Sequence, residues 1–276
     1  MKKLLILLSF LICSQVYGQK IYSGIFQQTE AQLAYREALT WDNFVLVNDS
    51  LGSNGYRLID LETFRLGKVR LYTGIWTESN LKSEIESVLG WPEFVKRKRA
   101  RASDGYVMDE VEAYAVSEQE FYFIGVWSKS EVTHKVWKLD SREGIKQKTE
   151  EMAKQDFFLV DVEAFATPGK VTQYLALYHQ GEVNEPRSYV FISDKLKVFN
   201  TDLLQRNKSG YRIMDYEQFE EGEDLYHLGV YRRGDYETIL LRDQTKESFD
   251  ALWEVKENEG LKLIDLEFSY LPKASQ

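Results

Sequence analysis

Cysteine is almost absent: Cys13 is the one thiol in 276 residues, and it follows directly on an apolar stretch, Leu4 to Ile12. A lone thiol excludes an intrachain disulfide framework and a thiolate metal site, so stability must come from the core. Proline is scarce, with four residues. Only three histidines occur, His134, His179 and His227, no two of them at the spacing of a zinc-binding helix. Positive charge is in deficit: 35 Lys and Arg face 44 Asp and Glu, a formal net charge of -9, which argues against nucleic acid as a partner. The first apolar run is too short to span a bilayer and no longer one follows, so no membrane span is expected. That run, preceded by Lys2 and Lys3 and followed by small and polar residues up to Gly18, has the form of a secretory signal peptide. The expectation is a leader over residues 1–18, cleaved near Gly18, and a single repeat domain over 19–276 of an exported protein, periplasmic or secreted. Ile12 stands where a lipoprotein signal needs a small residue, so Cys13 is not expected to carry a lipid.

What the chain does have is strand-forming side chains, at 14% aromatic and 43% hydrophobic, and marked self-similarity. One segment, clearest as Gly55-Tyr56-Arg57-Leu58-Ile59-Asp60-Leu61-Glu62-Thr63-Phe64, recurs from Gly105, Asp156, Gly210 and Gly260. A second keeps step with it: Tyr22-Ser23-Gly24-Ile25-Phe26, Tyr72-Thr73-Gly74-Ile75-Trp76, and counterparts ending in Trp127, Tyr178 and Tyr231. Both read as strands of a hairpin, followed by a third short strand and then a helix. Thr40, Asp140, Ser193 and Asp243 are the expected helix caps, and Pro92 falls in the first turn of the second helix.

The resulting fold class is α+β: five tandem helix-strand-strand-strand repeats forming one curved, largely antiparallel sheet, a half-barrel or closed barrel-like ring, with helices on the outer face. The chain opens with a lone second and third strand and ends with a lone helix and first strand. Pairing Leu261 to Phe268 with Ile21 to Gln27 would complete the fifth copy and close the array; an open arc is the alternative.

Strict alternation puts Ile59 and Leu61 on the helix-covered face and Asp60 and Glu62 on the other. The second face then carries a carboxylate pair from every copy: Asp60 and Glu62, Glu110 and Glu112, Asp161 and Glu163, Asp215 and Glu217, Asp265 and Glu267. Tyr72, Trp76, Trp127, Tyr178 and Tyr231 are expected beside them on the concave side, a surface suited to cations, basic peptides or sugars. Against this stands a purely structural role, in which each carboxylate bonds backbone donors or an arginine of the adjoining unit. Asp109 departs from the pattern, standing where the other copies have Ile59, Val160, Met214 and Ile264. Ser79-Asn80-Leu81-Lys82 matches a serine-x-x-lysine acylase motif, but it falls in a turn and lacks the partner motifs. The basic run Lys96 to Arg101 reads as a solvated helix face.

The repeated Gly-Tyr-Arg-Leu-Ile-Asp-Leu-Glu-x-Phe pattern, the Tyr-x-Gly-Ile-Trp that follows it, and Trp41 or Trp91 with a phenylalanine at the helix start resemble the bacterial tandem repeat family. Its repeats are about fifty residues long. Similar repeats form the N-terminal accessory domain of fungal polyglycine hydrolases, ahead of a serine hydrolase domain resembling β-lactamases. The resemblance runs from Lys20 to Phe268, with Asp156-Phe157 in place of Gly-Tyr and Tyr178 and Tyr231 in place of tryptophan. It implies the architecture and carries over no catalytic residue. The expected function is a non-enzymatic binding or interaction module for a glycan or an extended peptide, without cofactor or metal. The alternative is a glycosidase-like hydrolase using two of the carboxylates. Oligomeric state is not encoded in any feature of the sequence.

Overall fold

Elements follow one another in a fixed order through the chain. The computed structural model describes residues 19–117, 120–166, 172–181 and 188–270; the expected leader and Cys13 lie outside them. After β1 (Lys20–Gln28) come β2 (Leu33–Leu39), α1 (Trp41–Ser53), β3 (Tyr56–Leu66) and β4 (Val69–Glu78). The same order continues with β5 (Glu84–Leu89), α2 (Trp91–Ser103), β6 (Tyr106–Ala115) and β7 (Phe121–Lys129), then β8 (His134–Leu139), α3 (Arg142–Ala153), β9 (Phe157–Ala166) and β10 (Thr172–Gln180). The remainder is β11 (Tyr189–Ser193), α4 (Leu196–Lys208), β12 (Tyr211–Glu221), β13 (Asp224–Arg233), β14 (Thr238–Gln244), α5 (Lys246–Asn258) and β15 (Leu261–Tyr270).

Local chemistry explains the boundaries. Thr40 caps α1 and Pro92 opens α2 as expected, whereas α3 and α5 are capped by Ser141 and Thr245, one and two residues beyond the expected Asp140 and Asp243. There the hydroxyls of Ser141 and Thr245 accept from the N–H groups of Gly144 and Ser248, which the expected aspartates stand too early to reach. The N-cap of α4 is Lys195 rather than Ser193. At the other end of α1, Gly55 adopts φ 83, and Asp156 fills the matching place at φ 60, a conformation that short polar side chains tolerate.

The strands form five separate three-stranded antiparallel sheets, ordered β2-β4-β3, β5-β7-β6, β8-β10-β9, β11-β13-β12 and β14-β1-β15. In the last of these the N-terminal strand lies between two C-terminal ones, with Gly24 opposite both Leu241 and Leu266. The expected single curved sheet, half-barrel or barrel is therefore not formed. The physical reason lies in the middle strands, which bury both faces. Tyr72 and Trp76 of β4 pack with Phe44 of α1, while Leu71 and Ile75 join Phe26, Leu263 and Phe268 of the β14-β1-β15 sheet. Sheets thus meet through their faces instead of extending one hydrogen-bonded ladder. The inner strands β3, β6, β9, β12 and β15 lie against one another in cyclic order, with β15 next to β3.

Candidate functional site: an acidic axis

Every inner strand carries a β-bulge at the same place. The register slips between Leu58 and Asp60, Met108 and Glu110, and Ile213 and Asp215, and equivalent slips skip Val160 and Ile264. A bulge resets the alternation, so the core positions are Leu58 with Leu61, Met108 with Val111, Leu159 with Val162, Ile213 with Tyr216 and Leu263 with Leu266, all essentially sealed from solvent. Ile59 is consequently not a core partner of Leu61, a correction to strict alternation. With Asp109, Val160, Met214 and Ile264 it lines a cavity of about 440 Å³ at one end of the cyclic array. Arg57, His179 and Arg232 line this narrow mouth as well. Arg57 approaches Asp109 at 3.8 Å, and His179 Nε2 lies 2.6 Å from the Met108 carbonyl.

Beyond the bulges the carboxylates form two tiers. In the first, four of the five acids reach the backbone of the preceding unit: Leu61 N–H donates to Glu110 at 2.6 Å, Val111 N–H to Asp161 at 2.8 Å, and Val162 N–H to Asp215 at 2.9 Å, while Asp265 Oδ2 is buried without a partner among the described residues. Leu266 N–H donates to Asp60 at 3.4 Å across the junction of chain ends. These bonds match the structural alternative stated for the pairs. In the second tier Glu112 accepts from the Thr63 hydroxyl at 2.9 Å, and Glu267 from the Gln218 N–H. The ligand oxygens of Glu62, Glu217 and Glu267 lie within 4.8 Å of one another. Burial pushes the Asp161 carboxyl up to about 7 against the pull of the Val111 N–H. It pushes Glu112 to about 8 despite the Thr63 hydroxyl and Arg70. Burial followed by repulsion from Glu267 and Glu112 raises Glu62 well above the ordinary carboxylate range, and burial followed by Glu267 and Glu163 does the same to Glu217.

A second, wider cavity of about 1020 Å³ opens at the other end, and Glu62, Glu112, Glu163 and Glu217 line both cavities. Its wall adds Glu267, Glu220, Glu223 and Asp224, with Arg70 the one lysine or arginine among the described lining residues. Arg70 lies over the Tyr114 ring at 4.1 Å.

Three stretches of the chain, residues 32–79, 91–130 and 141–181, match the family described as polyglycine hydrolase-like, structural repeat. The chain carries polyglycine hydrolase-like structural repeats. The first match runs from the start of β2 to the end of β4, one complete sheet with its helix. No curated protein matches the chain.

Within this repeat the acidic and aromatic rows part company. Tyr72, Trp76, Trp127, Tyr178 and Tyr231 are buried in the hydrophobic clusters rather than beside the carboxylates. The expectation of a joint acidic and aromatic surface is corrected accordingly: these rings face the helices. Trp76 packs 5.3 Å from Phe44 and donates to Asn48 Oδ1 at 3.1 Å, and the Tyr178 hydroxyl lies 3.1 Å from that of Thr149. The aromatic rings at the wide mouth are Tyr114, Phe165, Phe219, Phe268 and Tyr270, which the repeat places at the far ends of the inner strands. Tyr114, Phe165 and Phe219 share the tenth repeat position with Phe64, and that recurrence was the signal available in the sequence; Phe268 and Tyr270 flank the same position in the last copy.

The remaining features find local roles. Ser79 lies between β4 and β5, and its hydroxyl accepts from Leu81 N–H. In the basic run, Arg97 pairs with Glu93 and Glu86 and Arg101 with Glu84 and Glu86. His227 meets the Tyr216 hydroxyl at 2.8 Å, well apart in sequence and setting from buried His134. Among the described residues no helix is long and apolar enough to cross a membrane.

Proposed function

We propose that this chain is an exported, non-enzymatic binding module, five copies of the repeat set about one axis, which takes an extended basic peptide at its wide mouth. The observation that carries the reading is the charge of that mouth: second-tier glutamates at its floor, Glu220, Glu223 and Asp224 at its rim, and Arg70 as the one lining lysine or arginine among the described residues. A like-charged cleft focuses its field and draws in ligands of opposite sign. A glycan has less support, because the rings expected to stack on sugars lie inside the protein and, of the rings at the mouth, Phe165, Phe219 and Phe268 are also buried, with Tyr270 the exposed one. Hydrolysis by a carboxylate pair also has less support, since carboxylates recur in every unit and most of the first tier is engaged by neighbouring N–H groups.

The test is fluorescence anisotropy with a labelled oligolysine peptide, run in chelator at low ionic strength, beside an oligoglutamate peptide and a neutral oligosaccharide. Oligolysine alone should bind, more weakly as salt rises. The double change Glu223→Gln and Asp224→Asn, both on an exposed hairpin, should weaken it several-fold. Equal binding of both peptides, or none of oligolysine, would sink the reading.

A further inference from the structure

Most of the first tier of carboxylates is explained by the backbone groups it satisfies, but the second tier is only partly explained. Glu112 has the Thr63 hydroxyl and Glu267 the Gln218 N–H, whereas among the described residues Glu62 and Glu217 are influenced chiefly by burial and by other carboxylates. Glu217 is 7% exposed, so little of it meets bulk water. A second observation comes from the tier above: Asp60, 4% exposed, lines the narrow cavity beside Glu62 and Glu217 and keeps Oδ2 without a partner among the described residues. Buried anionic oxygens left in this state are stabilised either by protons or by a bound cation.

We propose that Glu62, Glu217 and Glu267 bind one calcium ion on the axis. The ligand set is all oxygen, with no imidazole or thiolate, which suits a hard divalent cation and not zinc or copper. The three ligand oxygens lie within 4.8 Å of one another, close enough for one ion to take all three. Calcium accepts six to eight oxygens in a flexible arrangement, whereas magnesium demands a near-ideal octahedron and gives up its waters reluctantly, so three carboxylates from three separate strands suit calcium better. Three monodentate carboxylates leave further coordination places for water, which the wide cavity of about 1020 Å³ can supply. The ion would also screen the mutual repulsion of the tier. The three ligands come from β3, β12 and β15, and so from both ends of the chain; calcium therefore pins the junction where the N- and C-terminal parts of the array meet.

Calorimetric titration of chelator-treated protein tests this, using calcium chloride, magnesium chloride and sodium chloride in turn, with thermal melts alongside. Calcium should bind near one equivalent and raise the melting temperature, and magnesium should bind at least about tenfold more weakly. Glu62→Gln and Glu217→Gln should each weaken calcium by at least about tenfold while melting no lower than the parent in chelator, because removing a charge relieves repulsion. Glu150→Gln, on the exposed side of α3, should bind like the parent. Absence of calcium heat at millimolar concentration, or unchanged affinity in Glu217→Gln, would overturn the proposal. Peptide capture is measured in chelator, so either result stands without the other.

Discussion

A Cβ added to Gly74 would stand 2.6 Å from Trp76 Cη2 and 2.9 Å from Leu58 Cδ1, closer than packed carbons come. The indole two residues on folds back across the glycine, and Gly125 is covered in the same way by Trp127 at 2.7 Å. Where the aromatic residue is the smaller Tyr178, the chain has Ala176 in place of glycine. At Gly74 and Gly125 glycine is thus required by the indole that follows it and not by backbone conformation. Gly74→Ala should cost about 1 to 3 kcal/mol through overpacking, read as a lower denaturant midpoint. Adding Trp76→Tyr should recover part of the loss. A Gly74→Ala protein as stable as its parent would show that the indole can move aside.

Helices join their sheets through one recurring polar contact as well as through apolar packing. Asn48, the eighth residue of α1, accepts from Trp76 Nε1, and Thr149, the eighth of α3, meets Tyr178. In α2 the same place holds Lys98, and Trp127 Nε1 is buried without a partner. Burial, with Arg99 and Lys135 nearby, holds the Lys98 ammonium below its usual range. Lys98→Asn should restore the missing acceptor and raise stability by about 1 kcal/mol. The Trp127 indole proton should then exchange more slowly with solvent; an unchanged exchange rate would mean that the helix residue does not reach the ring. At this scale the sequence was readable in its period, its strand order and the pairing of the chain ends, because turn residues and motifs repeat in phase. The bulge was not readable: apolar side chains at Ile59, Val160, Met214 and Ile264 imitate a core position, and only Asp109 hinted that this place meets water. One unseen insertion per strand was enough to misplace the rings relative to the carboxylates. Separate sheets also escaped detection, because middle strands buried on both faces read the same in a continuous sheet and in a stack.

The whole molecule concentrates its acidity where water is scarce, and pH should expose that arrangement. Asp161 and Glu112 are pushed up to about 7 and about 8, mainly by burial, while in the unfolded chain carboxyls return to about 4. Between those values the folded protein holds more protons than the unfolded chain. The contribution of these groups to stability is therefore fully present below about 4 and lost as pH rises through 7 and 8. Charged neighbours pull both ways: Arg70 favours the Glu112 carboxylate, and the Asp161 charge opposes it. His134 has the opposite sign. Burial, then the charges of Lys98 and His179, lowers it to about 4, so its contribution is present above about 6.5 and lost as pH falls toward 4. His179 and His227 are lowered in the same sense, chiefly by burial. Three imidazoles thus stand against ten carboxyls, and the carboxyls should dominate: in chelator, the melting temperature should fall by several degrees from pH 5.5 to pH 8.5. Calcium should flatten that slope by supplying the positive charge that protons supply at low pH. A melting temperature that rises over this range in chelator would mean that the axis already holds its negative charge in compensated form, and that the two tiers are ion-paired through groups other than a bound cation.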